Sequence, residues 1–548
     1  MSDLEKKYDL LIAGAGVFGI TLAMEASQRG LTVLLVDNRD FGSGTSSNSL
    51  KTIHGGLRYL QSLDIKSSII SARERKAWLT MAPSLVRPLA CVLPTSSELM
   101  KSKLLVGAGM LFYNLLTFKR NSGMPEQEKI PNSHLISKLT LGSIIPKLSD
   151  DHVTGGGCWY DAQAINTERL MMACLNNAQN YGATVVNYHS IESVVRRNNL
   201  IYARLNGANT TPTGKPLRGE VTARYFVDCT GRDTFLECGH LKEKLIEPSS
   251  YVKGVNFVVK KHISTHAFGV KSNESDGASR MFFIAPWSNQ YTSSDYILVG
   301  TWYFDSTSSD PSSMTELEIH TCIEQVNSAF SEPLFTIDDI VQVHIGHLPA
   351  DNQLVESVGP DSALIKHAEL KDWSKFGSEY EGMFSLKGTK FTLARKAAED
   401  TVSYLKVDKG VDVSPSISAA SALSDITVES INRLKQLEWN DIQISFVEQY
   451  FPLGIDKIIT LCEDNSRLIN PVPGADYCCQ AIVVFCIKFE YVAHLTDLLI
   501  RRLPIGNYEM PEKEVIEFCV DLLGTHLGWD EKKKVEEVAS LKNYYMKS

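Results

Sequence analysis

A chain of 548 residues exceeds what one hydrophobic core usually supports, so two or three domains are expected. Its 43% apolar and 22% charged residues are ordinary for a globular protein and exclude a disordered or fibrous chain. With 55 basic against 64 acidic residues, a net charge of -9 and no polybasic block, the composition argues against nucleic acid as a partner.

The first residues, MSDLEKKYDLLIAGAG, enter a strand almost at once, without a secretory or transit pattern. The 11 cysteines are scattered, and none forms a C-x-x-C pair, so no metal site is expected. Their usage suits a reducing cytosol, and a cytoplasmic protein is expected.

Tyr8–Ala13 reads as a buried parallel strand, and Gly14, Gly16 and Gly19 follow in G-x-G-x-x-G spacing. VFGITLAMEASQRG then reads as a helix capped by Gly30, and LTVLLVD as a second strand ending at Asp37. The spacing has a mechanism: Gly14 permits the tight turn, Gly16 the approach of a pyrophosphate, and Gly19 close helix–strand packing. The helix N-terminus favours phosphate charge, and Asp37 can accept from the ribose hydroxyls. Ala15, Val17, Phe18 and Asn38 complete this nucleotide-contacting set.

The fingerprint alone does not choose between FAD and NAD, but three features favour FAD. The βαβ unit runs into FGSGTSSNS, where Gly44, Thr45, Ser46 and Ser47 offer hydroxyls and amides to a pyrophosphate or flavin edge. ARYFVDCTGRD is a strand ending in Thr230 and Gly231, which resembles the second nucleotide-contact motif of two-dinucleotide-domain flavoproteins. GMFSLKGTKFTLARKAAEDTV is a strand, a turn and a helix that returns the chain toward the flavin through Gly388, Thr389, Lys390, Phe391 and Thr392. Val194 joins the cofactor contacts.

Leu104–Phe118, LLVGAGMLFYNLLTF, is shorter than the ~20 residues that span a bilayer. It reads first as a buried helix. With Lys101, Lys103, Lys119 and Arg120 at its ends, the second reading is a helix lying in a membrane interface.

GTSSNSLKTIHGGLRYLQ, APSLVRPLACVLP, FFIAPW and GTKFTLARKAAED together resemble the FAD-dependent glycerol-3-phosphate dehydrogenases, within the D-amino-acid-oxidase-like flavoproteins. FEYVAHLTDLLIRRLPIG and LGTHLGWDEKKKVEEV resemble the family's C-terminal helical domain, so the likeness spans nearly the whole chain. The resemblance implies transfer of a secondary-alcohol hydride to flavin N5, with a quinone or oxygen as final acceptor. It also implies a small hydroxylated substrate, phosphorylated in the family, held by Arg and Lys, and a base for the hydroxyl proton.

The chain keeps His54, Arg58, Tyr59, Lys390, Thr392 and Arg395 of the family pattern. It departs where Leu348 takes the place of an arginine in a G-x-R-P stretch and Asn256 that of a histidine in a K-G-x-H stretch. A rebuilt substrate pocket is therefore expected. The alternatives are a related polyol phosphate, another hydroxylated metabolite, or an amine or amino acid; a redox-silent flavin protein is the remote one.

His54, followed by Gly55 and Gly56, reads as lying beside the cofactor, or as a structural histidine. Arg58 reads as a substrate-anion ligand, or as an ion-pair partner of an acid such as Glu74. Lys390 reads as a flavin-edge or substrate contact, or as an exposed loop lysine. His54, Arg58 and Lys390 are the catalytic candidates, joined at the substrate by Tyr59, Asn256, His344, His347 and Leu348. His344 shares strand parity with Leu348 while His347 faces the other way; either is otherwise a hydrogen-bonded strand histidine.

The expected fold class is α/β. A Rossmann-like FAD-binding domain is assembled from 1–95, 150–250 and 350–405, with an apolar helical insertion at 96–149. A mixed β-sheet substrate domain follows at 251–349 and a C-terminal helical domain at 425–548.

Overall fold

The computed structural model describes residues 6–149, 152–207, 218–233, 250–272, 280–292, 294–305, 313–351, 354–355 and 363–546. The chain forms two compact units: residues 1–47, 166–252 and 347–546, and residues 48–165 and 253–346.

The first unit is built on a sheet ordered Glu369–Asp372, Met383–Lys387, Gly219–Asp228, Lys7–Ala13, Val33–Val36, Thr184–Val186. Lys7–Ala13 pairs in parallel with both Val33–Val36 and Gly219–Asp228. Leu10, Leu11, Ile12, Val33, Leu34 and Leu35 are all buried, as expected of parallel strands covered on both faces. Helix Val17–Gln28 connects the first two strands and packs against helices Thr167–Asn180 and Ala394–Lys409. Gly30 takes φ +93° just after it, the left-handed ending that glycine permits. Strands His189–Arg197 and Leu200–Gly207 form an antiparallel hairpin beside Gly219–Asp228. The C-terminal helices, from Val428–Gln436 to Glu531–Met546, belong to this same unit and are interrupted by a short hairpin, Pro471–Val472 with Ala475–Cys479.

The second unit is a mixed sheet ordered Ile340–Ala350, Ser250–Val259, Ile297–Asp305, Met281–Pro286, Ala267–Lys271, Val86–Ser96, Val153–Ala164, Thr52–Ile53, with His134–Ser137 also on Val153–Ala164. Trp302 packs against Phe257 and Phe282, with ring centroids 4.7 and 5.0 Å away. Helix Glu316–Asn327 covers this core with Cys322, Ile323 and Val326. Val86–Ser96 and Val153–Ala164, placed by the sequence reading in the nucleotide-binding segments, pair with each other along a ladder from Val86↔Ala164 to Ser96↔Val153. Ala267–Lys271 pairs with the first of them in parallel. Strand partners of this kind are chosen by tertiary pairing, which local pattern does not encode.

Helix Lys103–Leu116 buries only Met110 and Tyr113. Leu104, Leu111, Leu115 and Phe118 are 85, 72, 69 and 70% exposed, so the buried-helix reading gives way to a helix with an open apolar face. Among the described residues no helix is long and apolar enough to cross a membrane.

Candidate active site

In the first unit the glycine turn is shaped by contacts that admit no side chain. Gly14 has φ +92°, and a Cβ there would stand 2.7 Å from the Cys229 carbonyl carbon. A Cβ on Gly19 would stand 1.9 Å from the Gly14 oxygen. Gly16 caps the helix with no side-chain bond, so the helix N-terminus is left to backbone amides. Val17 N–H donates to Ser46 Oγ at 3.0 Å, and Gly42 N–H to the Ala15 oxygen at 2.8 Å. The Gly44–Ser47 loop is thereby laid against the turn, with Ser47 Oγ donating to the Gly42 oxygen at 2.6 Å.

Asp37 Oδ2 accepts from Ala15 N–H at 2.6 Å, and Oδ1 from Arg39 N–H at 2.8 Å. Burial pushes its carboxyl up to about 6 against the pull of these amides. Asn38 beside it is exposed. Thr230 donates from both N–H and Oγ to Asp228 Oδ1, and Gly231 has φ +66°. A Cβ on Gly388 would stand 2.3 Å from Phe18 Cζ, so the Phe18 ring covers this glycine. Thr389 Oγ donates to the Ile365 oxygen at 2.8 Å, and Lys390 Nζ to the Lys366 oxygen at 2.7 Å. Phe391–Leu393 is a short 3-10 turn containing buried Thr392, which leads into helix Ala394–Lys409. Val194 is buried in the core and paired to Ala203, so its side chain faces the packing. His347 exchanges backbone bonds with Thr45 Oγ, its Nε2 lies 2.9 Å from Arg232 Nη1, and Leu348 is half-buried.

In the second unit His54 follows strand Thr52–Ile53, with its side chain 34% exposed. Its Nδ1 lies 3.1 Å from Asp161 Oδ2. Gly56 has φ +88°, and a Cβ there would meet Ser68 Cα at 2.9 Å, so the turn after His54 requires glycine. Arg58 is exposed, with its guanidinium 5.4 Å from the Tyr59 ring centroid.

Asn256 is buried; its Oδ1 accepts from Thr301 Oγ at 2.7 Å and its Nδ2 donates to the Asn48 oxygen at 3.4 Å. His344 is 5% exposed, with Nε2 3.0 Å from Gln342 Oε1. Burial and the nearby Lys51 ammonium push its imidazole down to about 3, which keeps it neutral. His344 thus has the environment of a buried strand histidine hydrogen-bonded at Nε2.

Sequence reading passed over Asp161, Arg75 and Lys51. Lys51 is 2% exposed, with its ammonium 4.7 Å from the Trp287 ring centroid. Asp161 and Arg75 are buried beside His54. The available signal was a lone charge in an apolar stretch, as in GGGCWYDAQA, where a buried carboxylate requires a partner.

A family model described as FAD dependent oxidoreductase matches residues 9–383. The chain belongs to that family. A second model, the C-terminal domain of alpha-glycerophosphate oxidase, matches residues 454–534. The chain is 26% identical over 564 residues to a glycerol-3-phosphate dehydrogenase of Synechocystis sp., covering 98% of this chain and 96% of that one. It is 27% identical over 568 residues to the mitochondrial glycerol-3-phosphate dehydrogenase of Bos taurus, covering 98% and 73%. In fold it is similar to the glycerol-3-phosphate dehydrogenase of Bacillus halodurans complexed with FAD, with TM-score 0.71, 20% identity, and 100% and 96% covered.

The cofactor of this FAD-dependent oxidoreductase is FAD, and the glycine turn fits it. The cradle at Gly14 and Gly19 excludes a Cβ, and the N-cap residue Gly16 brings no side chain to the helix N-terminus. The residues that would hold FAD are the Gly14–Gly19 backbone, Asp37, and the Gly44–Ser47 loop.

Proposed function

We propose that the chain oxidises a secondary alcohol on a small, hydroxylated, anionic metabolite, sn-glycerol 3-phosphate or a close relative, with a quinone or oxygen as final acceptor. The observation that carries this reading is His54, partly exposed, set between a strand and a glycine turn, and held at one ring nitrogen by a buried carboxylate. When bound, FAD supplies the acceptor for the hydride. His54 takes the hydroxyl proton, as a general base does. The exposed Arg58 guanidinium attracts the substrate anion. The names of the curated relatives support a glycerol phosphate. Leu348 and the Thr301-bound Asn256 support a substrate preference shifted from theirs.

The test is anaerobic bleaching of the visible flavin band by polyol phosphates, 2-hydroxy acids, and amines or amino acids. Bleaching by a polyol phosphate is the expected result. Bleaching by amines alone transfers the reading to amine oxidation, and an unbleached flavin with every donor removes it.

We further propose that the open face of helix Lys103–Leu116 rests on a membrane surface. The observation is the exposure of Leu104, Leu111, Leu115 and Phe118 between Lys101, Lys103 and Lys119. Leu111→Glu with Leu115→Glu should release the protein from sedimenting anionic vesicles while flavin bleaching by soluble substrate persists. Equal sedimentation of variant and parent removes this contact.

A further inference from the structure

We propose that Asp161 is a positioning residue that fixes His54 as the Nδ1–H tautomer and so makes Nε2 the ring's proton acceptor. The inference rests on the reading of His54 as the base.

The backbone register sets the pair. Thr52 lies opposite Gln163 and Ile53 opposite Ala162, so the next step brings His54 level with Asp161, 107 residues later in the chain. Asp161 is 4% exposed and uses both oxygens. Oδ2 faces His54 Nδ1 at 3.1 Å, and Oδ1 accepts from Gly55 N–H at 2.6 Å.

Arg75 is fully buried behind the pair, with Nη1 3.6 Å from Asp161 Oδ1 and also donating to the Tyr160 oxygen. Burial alone would push the Asp161 carboxyl up. His54, Arg75 and the Gly55 amide more than offset it, so the group stays below its ordinary value and ionised. The backbone at Gly55 is held from the other side as well, where Tyr113 Oη donates to the Gly55 oxygen at 2.6 Å. A Cβ on Gly55 would fall 1.9 Å from Arg75 Nη1.

The tautomer follows from what each group can do. An ionised carboxylate only accepts and a backbone N–H only donates. The proton between Asp161 and His54 therefore sits on Nδ1, and the ring's lone pair sits on Nε2. This is the logic by which a buried aspartate orients the histidine of the serine-protease triad.

Asp161→Asn turns the same geometry against the base. Its single amide oxygen must serve the Gly55 N–H, which can do nothing but donate. Its NH2 then faces Nδ1, which becomes an acceptor, and the ring proton moves to Nε2. The substitution keeps size and shape while placing the proton on the nitrogen that should accept one.

The experiment uses FAD-loaded protein carrying nitrogen-15-labelled histidine, with His54→Gln to assign the signal. The expected spectrum is Nδ1–H in the unsubstituted protein and Nε2–H in Asp161→Asn. With the substrate that bleaches the flavin, Asp161→Asn should lower kcat by about 10²–10⁴-fold, the range for general-base catalysis, while KM and FAD content change little. An Nε2–H ring in the unsubstituted protein overturns the proposal whether or not the variant folds. So does an Asp161→Asn protein that turns over at the parent rate with its ring proton on Nε2. The two possible failures are separate: a flavin that no alcohol bleaches removes the proposed reaction, whereas the tautomer is read without substrate.

Discussion

Gly14 and Gly16 differ in what a new side chain would meet. At Gly14 a Cβ collides with the end of strand Gly219–Asp228, and φ is +92°. At Gly16 the backbone is extended and the nearest atom is Ser46 Oγ at 3.2 Å. Gly16→Val should therefore fold with a near-parental Tm and purify colourless, whereas Gly14→Val should lose Tm as well as FAD. A yellow, fully loaded Gly16→Val protein would refute the turn as the cofactor site. Asp37 adds a pH signature to the FAD-free protein. Its carboxyl is raised to about 6, so its contribution to stability is fully present below about 3.9, the unfolded value, and is lost as pH rises through about 6. Asp37→Asn should flatten the fall in Tm across that window.

The structure separates two departures from the family pattern that the sequence put side by side. Asn256 is bonded to Thr301, and a Cβ on Gly300 would lie 2.3 Å from its Oδ1, so a larger residue at 256 disturbs the sheet. Leu348→Arg alone is the cleaner change, and it should raise kcat/KM for glycerol 3-phosphate about tenfold or more if a charged hydrogen bond is restored. An unchanged ratio would remove position 348 from substrate selection. The glycine turn and its bond to Asp37 were legible because their geometry is local in sequence. Asp161 was not, because only the pairing of Thr52–Ile53 with Val153–Ala164 brings it to His54.

At the scale of elements, the apolar runs that read as strands, Met281–Pro286 and Ile297–Asp305 among them, are strands, since their pattern is satisfied by their own sheet. The helix at Lys103–Leu116 was legible as a helix but not in its exposure, because composition does not say which neighbours remain to cover a face. Helix Glu531–Met546 shows how a terminal element is fastened. Glu537 accepts from Leu495 N–H at 3.0 Å, lies 2.9 Å from His494 Nδ1, and pairs with Lys533 at 2.7 Å. Burial would raise its carboxyl, but these partners lower it to about 2. Its contribution is thus present above about 4.3, the unfolded value, and lost as pH falls toward 2. His494 is shifted the opposite way, raised chiefly by its bond to Glu537, so its contribution is full below its ordinary value and lost as pH rises through the raised one. Glu537→Gln should remove about 2–3 kcal/mol at mildly acidic pH and little near pH 2. Denaturant unfolding at the two pH values checks this, and an equal loss at both would assign the effect to packing.

At the scale of the molecule, the C-terminal helical domain expected at 425–548 is matched by the C-terminal domain model over residues 454–534 and packs in one compact unit with the nucleotide-binding sheet. The reason is a buried ionic network that a one-dimensional reading cannot assemble. Arg502 holds Asp40 through two bonds of 2.6 and 2.9 Å, and Arg501 bonds both Asp40 and Asp497. Tyr188 donates to Asp497 at 2.6 Å, and Arg169 grips Glu490 at 2.6 and 3.1 Å. Burial alone would raise Asp40, but the two guanidinium groups hold its carboxyl well below the usual range. The LIRR stretch that carried the family likeness is therefore a fastening onto the loop that follows Asp37. Asp40 stands two residues before Gly42, whose N–H binds the Ala15 oxygen of the glycine turn. Arg502→Leu leaves Asp40 with a buried, half-compensated charge, a change that typically costs about 3–5 kcal/mol. It should lower Tm and also loosen the loop. The apparent Kd for FAD should rise, although residue 502 is remote in sequence from every glycine of the turn. Asp40→Asn with Arg502→Leu should recover part of the lost Tm, because the stranded charge is gone, while FAD binding stays weak if the fastening itself supports the loop. Titration of the FAD-free variants with FAD, beside their melting curves, decides it. A parental Kd in Arg502→Leu would show that the network stabilises the fold without reaching the cofactor.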